Sequence, residues 1–124
     1  MTARLALTLA AILLFVAVGT GAFGAHALKA RLEPDLMAVY QTAVQYHFWH
    51  ALGLLAVGVL LTQRPDSGAL VWAAWLLVAG LVLFSGSLYA LALTGVRAFG
   101  AVTPAGGVAF LAGWAALAWA AWRG

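Results

Sequence analysis

Long apolar runs alternate with short polar ones along this chain, and four of the runs have the length of a bilayer crossing. The first, about Leu5 to Ala25, holds no charged residue. A helix needs about 20 apolar residues to cross the hydrocarbon, so this run predicts a transmembrane helix. The rival is a cleaved signal peptide, with Arg4 as its positive end and Ala25-His26-Ala27 as a small-x-small cleavage site. The apolar stretch is longer than the usual signal core of about 7 to 15 residues, which favours a retained span. The second run, about 44–62, lies within a longer helix that starts at Pro34. Glu33-Pro34-Asp35 puts proline at the first helical position and acidic groups near the positive end of the dipole. From Pro34 to Thr62 such a helix is about 43 Å long at 1.5 Å per residue. That exceeds the roughly 30 Å of hydrocarbon, so its first turns lie along the interface, project beyond it or bend there.

The polar turn Gln63 to Gly68 contains Pro65 and admits the third run, about 69–93. After the connection Thr94 to Gly100, Thr103-Pro104 reads as an N-cap followed by proline, opening the fourth run, about 103–122. Trp72, Trp75, Trp114, Trp119 and Trp122 suit the aromatic belts at the membrane interfaces. Short connections between four spans predict one all-α domain over residues 1–124, an antiparallel four-helix transmembrane bundle. Gly21, Gly24, Gly86, Gly106 and Gly113 sit among small residues at three- and four-residue spacing, the pattern on which membrane helices approach closely.

Composition strengthens this picture. Hydrophobic residues make up 66 % of the chain and charged ones 7 %, with a mean hydropathy of +1.06. A water-soluble domain carries about 25 % charged residues, so the expected partner is the lipid bilayer. The six cations are scattered through loops and termini for a net charge of +3, which gives no support to nucleic-acid binding. There is no cysteine, and so no disulfide, thiolate ligand or thiol nucleophile. Arg4, Arg64 and Arg123 fall on one side, and Lys29, Arg31 and Arg97 on the other. The positive-inside rule therefore ties, and Arg4 before the first helix tips the reading to cytoplasmic termini.

The four runs place their polar or glycine-rich halves at the level of the first and third connections. The candidate polar cavity there comprises His26, Tyr40, Gln41, Gln45, Tyr46, His47, His50, Ser85, Ser87 and Tyr89. A polar or ionisable group inside a span faces the bundle interior or a cavity and is a functional hypothesis by default. His47 and His50, three apart, share a helical face, and Ser85 or Tyr89 reaches towards them from the third helix. The plainer reading is that both histidines are neutral, satisfied by neighbours, and serve only to fix helix register. A metal held by His26, His47 and His50 is the sharper one, although no carboxylate or thiolate stands near. Bis-histidine haem needs histidines at matched depth on facing helices. No cofactor is expected. A serine hydrolase built on Ser85 and His50 lacks the glycine-preceded nucleophile turn, and no catalytic residue is assigned.

Four blocks together resemble one family: GAFGAHAL at Gly21 to Leu28, YQTAVQYHFWHALGLL at Tyr40 to Leu55, FSGSLYALALTG at Phe84 to Gly95 and TPAGGVAFLAGW at Thr103 to Trp114. It comprises the small bacterial membrane proteins known as domain of unknown function 423, similar to the eukaryotic transmembrane protein 256. The resemblance implies a four-helix protein of the bacterial inner membrane. It carries no established activity, substrate or cofactor, and it places His26, Tyr40, Gln45, Tyr46, His50, Ser85 and Gly86 inside the matching blocks. Three functions remain open at this point. The preferred one is a structural or accessory subunit, a homo-oligomer or part of a larger membrane complex, packing through the glycine and alanine seams. The others are a ligand-, lipid- or ion-binding module and a histidine-based metal or haem protein.

Overall fold

The computed structural model describes every residue from Met1 to Gly124. Four helices are long and apolar enough to cross a membrane. They are α1 (Ala3–Leu28), α2 (Pro34–Gln63), α3 (Gly68–Thr94) and α4 (Thr103–Arg123), the last preceded by a tight 3₁₀ turn over Arg97–Ala101. The chain is an all-α, four-span integral membrane protein with antiparallel neighbours.

Local chemistry sets the helix ends. The Thr2 hydroxyl accepts from the Leu5 amide at 3.1 Å, and Ser67 does the same for Leu70 at 3.3 Å, each satisfying an otherwise orphaned amide. Pro34 opens α2 after Glu33, as its missing N–H allows. Gly95, in the left-handed region at φ 73°, ends α3. At the other end of the bundle the Arg64 guanidinium donates to the Ala120 carbonyl at 3.0 Å, placing a cation at the C-terminal end of α4.

Several sequence expectations need adjustment. Helix α1 runs from Ala3 to Leu28 rather than 5–25, because it continues through a wide π-helical turn over Gly24–Leu28. A second wide turn, Leu81–Ser85, interrupts α3, where the Gly86 amide reaches back to the Leu81 carbonyl. Helix α2 is continuous for 30 residues, with no break in its hydrogen bonding where it passes the interface. Thr103 is not a cap: it is the first residue of α4, and its hydroxyl bonds Ser87 of α3 at 2.6 Å instead. The Trp114 ring packs where a side chain on Gly53 would go, while the residue stays 40 % exposed.

The helices form a zigzag rather than a closed square. Helices α2 and α3 pair in the middle, α1 packs on α2 and α4 packs on α3, while α1 and α4 have no substantial contact. Glycine makes these approaches close. The Tyr40 ring covers Gly24, the Phe110 ring covers Gly80, and Leu7 lies on Gly58. A Cβ added to Gly106 would come 2.7 Å from the Phe84 Cα, and one on Gly113 would come 3.1 Å from Leu77 Cδ2. Gly21 makes only ordinary contact with Val44, and Gly86 packs on no other helix, contrary to its expected packing role. The termini-side half of the bundle is filled by Ala6, Ala10, Leu54, Val57, Leu61, Leu70 and Leu77, all buried. An open zigzag leaves one groove between α1 and α3 and another between α2 and α4.

Candidate functional site

Each of these two grooves is floored by one histidine of α2. His47 and His50 lie near the middle of that helix, and both are buried, 5 % and 6 % exposed. Three residues turn a helix by 300°, so the two rings diverge by about 60°. That divergence is enough to send His47 towards α3 and α1 and His50 towards α4, so the shared face predicted from their spacing is split.

His47 is held by other helices. Its Nδ1 lies 2.9 Å from the Tyr89 hydroxyl of α3, which lies 2.9 Å from Thr20 Oγ1 of α1. Thr20 Oγ1 is 3.2 Å from the Ala17 carbonyl, and the Tyr40 hydroxyl donates to the Thr20 carbonyl, where α1 widens. This hydrogen-bond chain has two consistent directions. In one, Thr20 donates to Ala17, Tyr89 to Thr20 and His47 Nδ1 to Tyr89, leaving Nε2 a bare acceptor. In the other, Thr20 donates to Tyr89 and Tyr89 to Nδ1, so the neutral ring carries its proton on Nε2.

Nε2 itself is buried and makes no hydrogen bond of good geometry, the Leu13 carbonyl of α1 being the polar group on offer to it. It borders a crevice of about 190 Å³ lined by Leu13, Val78, Leu81, Val82, Ser85 and Tyr89. Ser85 offers the crevice no donor, because its hydroxyl proton goes to the Ala43 carbonyl at 3.0 Å. The crevice opens to the outside past Val82 and Gly86, both exposed.

His50 is held by its own helix. Its Nδ1 lies 2.8 Å from the Tyr46 carbonyl, which can only accept. Nδ1 therefore carries the proton, and Nε2 of the neutral ring is a lone-pair acceptor. The imidazole stacks on Phe110, 3.5 Å between centroids, with Tyr46 5.7 Å away to its side, and both rings are close to parallel with it. A groove of about 400 Å³ runs along this cluster, bounded also by Phe84, Gly107 and Trp114.

The other residues expected in one polar cavity lie apart from both grooves. Gln41 and Gln45 are exposed and line, with Tyr40, Gly24 and Lys29, a depression of about 480 Å³ between α1 and α2. Ser87 is spent on Thr103 and on the Phe84 carbonyl, 3.0 Å away. His26 is exposed and joins neither histidine, and no three histidine or carboxylate groups gather anywhere in the chain. The three histidines named as metal candidates are therefore not brought together. Sequence reasoning missed Thr20 and also Phe110, which carries no polar atom to mark it. The only signal for Thr20 was a hydroxyl deep in an uncharged run.

The profile of the protein family described as "Protein of unknown function (DUF423)" matches residues 20–107, which include both histidines and Tyr89. The chain belongs to the DUF423 family. Among its relatives, the UPF0382 membrane protein SH2409 of Staphylococcus haemolyticus is 49 % identical over 111 residues, covering 90 % of this chain and 89 % of that protein. The UPF0382 membrane protein YwdK of Bacillus subtilis is 49 % identical over 106 residues, 86 % of each chain. The UPF0382 inner membrane protein YgdD of Escherichia coli K12 is 47 % identical over 115 residues, 93 % of this chain and 87 % of that one. No solved structure matches this DUF423 chain.

Proposed function

We propose that this protein is a binding module of the bacterial inner membrane, that its termini face the cytoplasm, and that its site is the α1/α3 crevice floored by His47. The observation that carries the reading is the unpartnered His47 Nε2, buried at the base of an otherwise apolar crevice. A buried polar nitrogen without a partner costs about 1–3 kcal/mol, a cost that a bound molecule removes. Water is a poor occupant, because an ordered water needs 2–4 polar partners, and beyond Nε2 and the Leu13 carbonyl the crevice wall is nearly all hydrocarbon. A membrane-dissolved molecule with a single hydrogen-bonding head and an apolar body fits better. The reversible chain through Tyr89 and Thr20 lets Nε2 meet either a donor or an acceptor. The "inner membrane" in the name of the Escherichia coli relative supports the location.

Gly86 supplies the test. A Cβ there meets no other helix, so Gly86→Leu closes the crevice mouth without disturbing packing. Organic extraction and mass spectrometry of the purified protein should find a stoichiometric small molecule in the wild type, lost from Gly86→Leu and from His47→Leu. Identical extracts from the wild type and Gly86→Leu would sink the reading.

The accessory or self-associating subunit stays as a second reading, supported by the outward face of α1. There Gly19 has open space around it and Phe15 is 81 % exposed. The inward-facing glycines no longer speak for it, because the bundle itself uses them. Cross-linking in native membranes decides: a dimer that Gly19→Leu abolishes favours it, and monomer throughout rejects it.

A further inference from the structure

We propose that the α2/α4 groove is a second binding site, for a phenolic lipid whose ring hydroxyl donates to His50 Nε2. Four observations converge on that chemistry, and none of them depends on the His47 crevice.

The first is the fixed role of the nitrogen. Because Nδ1 is committed to the Tyr46 carbonyl, Nε2 in the neutral ring presents a lone pair and nothing else. The second is that Nε2 has no partner within the protein, although the residue borders the groove. The third is the stacking. Phe110 stacks on one face of the imidazole, and Tyr46, 6.4 Å from Phe110 and near-parallel, stands to its side, so the ring is held in one orientation with Nε2 at its free edge. The fourth is the wall: Trp114, with its centroid 5.7 Å from His50 and its ring tilted by 60°, and Phe84, 5.4 Å from Phe110, give flat aromatic surfaces. Aromatic walls favour a ring through offset and edge contacts that a saturated chain does not make.

These features select against the bulk lipid. The acyl chains and ester oxygens of an ordinary phospholipid offer no donor, so they would leave Nε2 unsatisfied in a low-dielectric groove. An aliphatic alcohol has the donor and lacks the ring. A phenol or hydroquinone with an apolar tail has both, and its tail can leave past Val108 and Leu111, which are 66 % and 72 % exposed. The groove stays open at Gly107, where an added Cβ would meet nothing closer than Phe84 Cδ2 at 3.9 Å. Gly107 thus does for this groove what Gly86 does for the other.

The experiment measures binding of 4-nonylphenol, its methyl ether and decan-1-ol to the full chain in nanodiscs, with ring ¹⁵N spectra of the histidines recorded alongside. The phenol should bind about tenfold tighter than the ether, the difference that one net hydrogen bond makes. It should also move the Nε2 signal of His50 and leave that of His47 in place. Gly107→Leu should abolish the preference, whereas Gly86→Leu should not change it. Equal binding of phenol and ether overturns the proposal, as does decan-1-ol binding as tightly as the phenol. A preference lost in Gly86→Leu but kept in Gly107→Leu would hand the phenol to the His47 crevice and overturn it too. Because the two glycine variants act on separate grooves, failure here leaves the His47 reading untouched, and the converse holds.

Discussion

The two grooves beside α2 differ in who holds the histidine. His47 is fixed by hydroxyls that arrive from α3 and, behind it, α1, so its geometry exists only when three helices are assembled. His50 is fixed by a carbonyl of its own helix and then stacked on Phe110, with Tyr46 beside it. The first arrangement leaves the proton free to sit on either nitrogen; the second dictates where it sits. Two residues of one type, three positions apart, acquire different chemistry from the partners the packing gives them. Glycine placement follows the same division. Gly80 and Gly106 bring α4 onto α3 and so build the wall of the His50 groove, while Gly86 and Gly107 are left uncovered at the groove mouths.

The largest expected effect comes from breaking one groove's wall while sparing the other. Gly106→Val places side-chain atoms on the Phe84 backbone, where an added Cβ already stands 2.7 Å from Cα. The helices must separate, and overpacking of this kind costs up to about 3 kcal/mol. Unfolding in mixed detergent micelles should show that loss. The ¹⁵N signals of His50 should broaden as Phe110 withdraws, while the hydrogen-bonded Nδ1 of His47 should persist, since α4 supplies none of its partners. Loss of both signatures together would show that the two grooves are one cooperative unit.

Tyr89→Phe makes the reciprocal cut. It keeps the ring that packs edge-on against Tyr40, 5.4 Å between centroids, and removes only the hydroxyl joining His47 to Thr20. His47 Nδ1 is then left without a partner, at a cost of about 2 kcal/mol. The variant should unfold earlier by that amount and release whatever occupies the His47 crevice. The His50 tautomer, with its proton on Nδ1, should be unchanged. A stability loss near zero would mean that the hydroxyl chain does not hold His47.

How much of this was legible in the chain depends on the range of the interaction that decides it. The four spans, their order and the apolar termini-side half follow from runs of hydrophobic residues and from Pro34, Gly95 and the polar turn at Gln63 to Gly68, all of which act locally. That the polar groups would cluster by level was also readable, because depth in a membrane is set by sequence position along each helix. What stayed hidden depends on azimuth. His47 and His50 look like neighbours on one face, and only the zigzag of α1 and α4 about the central pair sends them to separate grooves. The wide turns at Gly24–Leu28 and Leu81–Ser85 add a further shift of azimuth, and no local residue pattern announces them. Thr103 shows the same limit from the other side: its sequence fits a cap, yet a tertiary partner, Ser87, claims the hydroxyl.

Ser85→Ala should have the smallest effect, and it sharpens the comparison by testing whether every polar contact on the His47 side matters equally. The Ser85 hydroxyl donates to the Ala43 carbonyl at 3.0 Å, in a buried position between α3 and α2. That carbonyl lies inside a continuous helix, where it also accepts the amide four residues on, so losing the serine orphans no acceptor. The alanine itself brings no polar atom into the gap. The cost is therefore that of an average interhelical hydrogen bond in a membrane protein, about 0.6 kcal/mol, well below that of Tyr89→Phe. The crevice beside His47 gains the space of one hydroxyl, and occupancy should hold. If Ser85→Ala instead destabilises the bundle as much as Tyr89→Phe, it is the α2/α3 contact at Ala43, and not the chain from Thr20 through Tyr89, that orients His47.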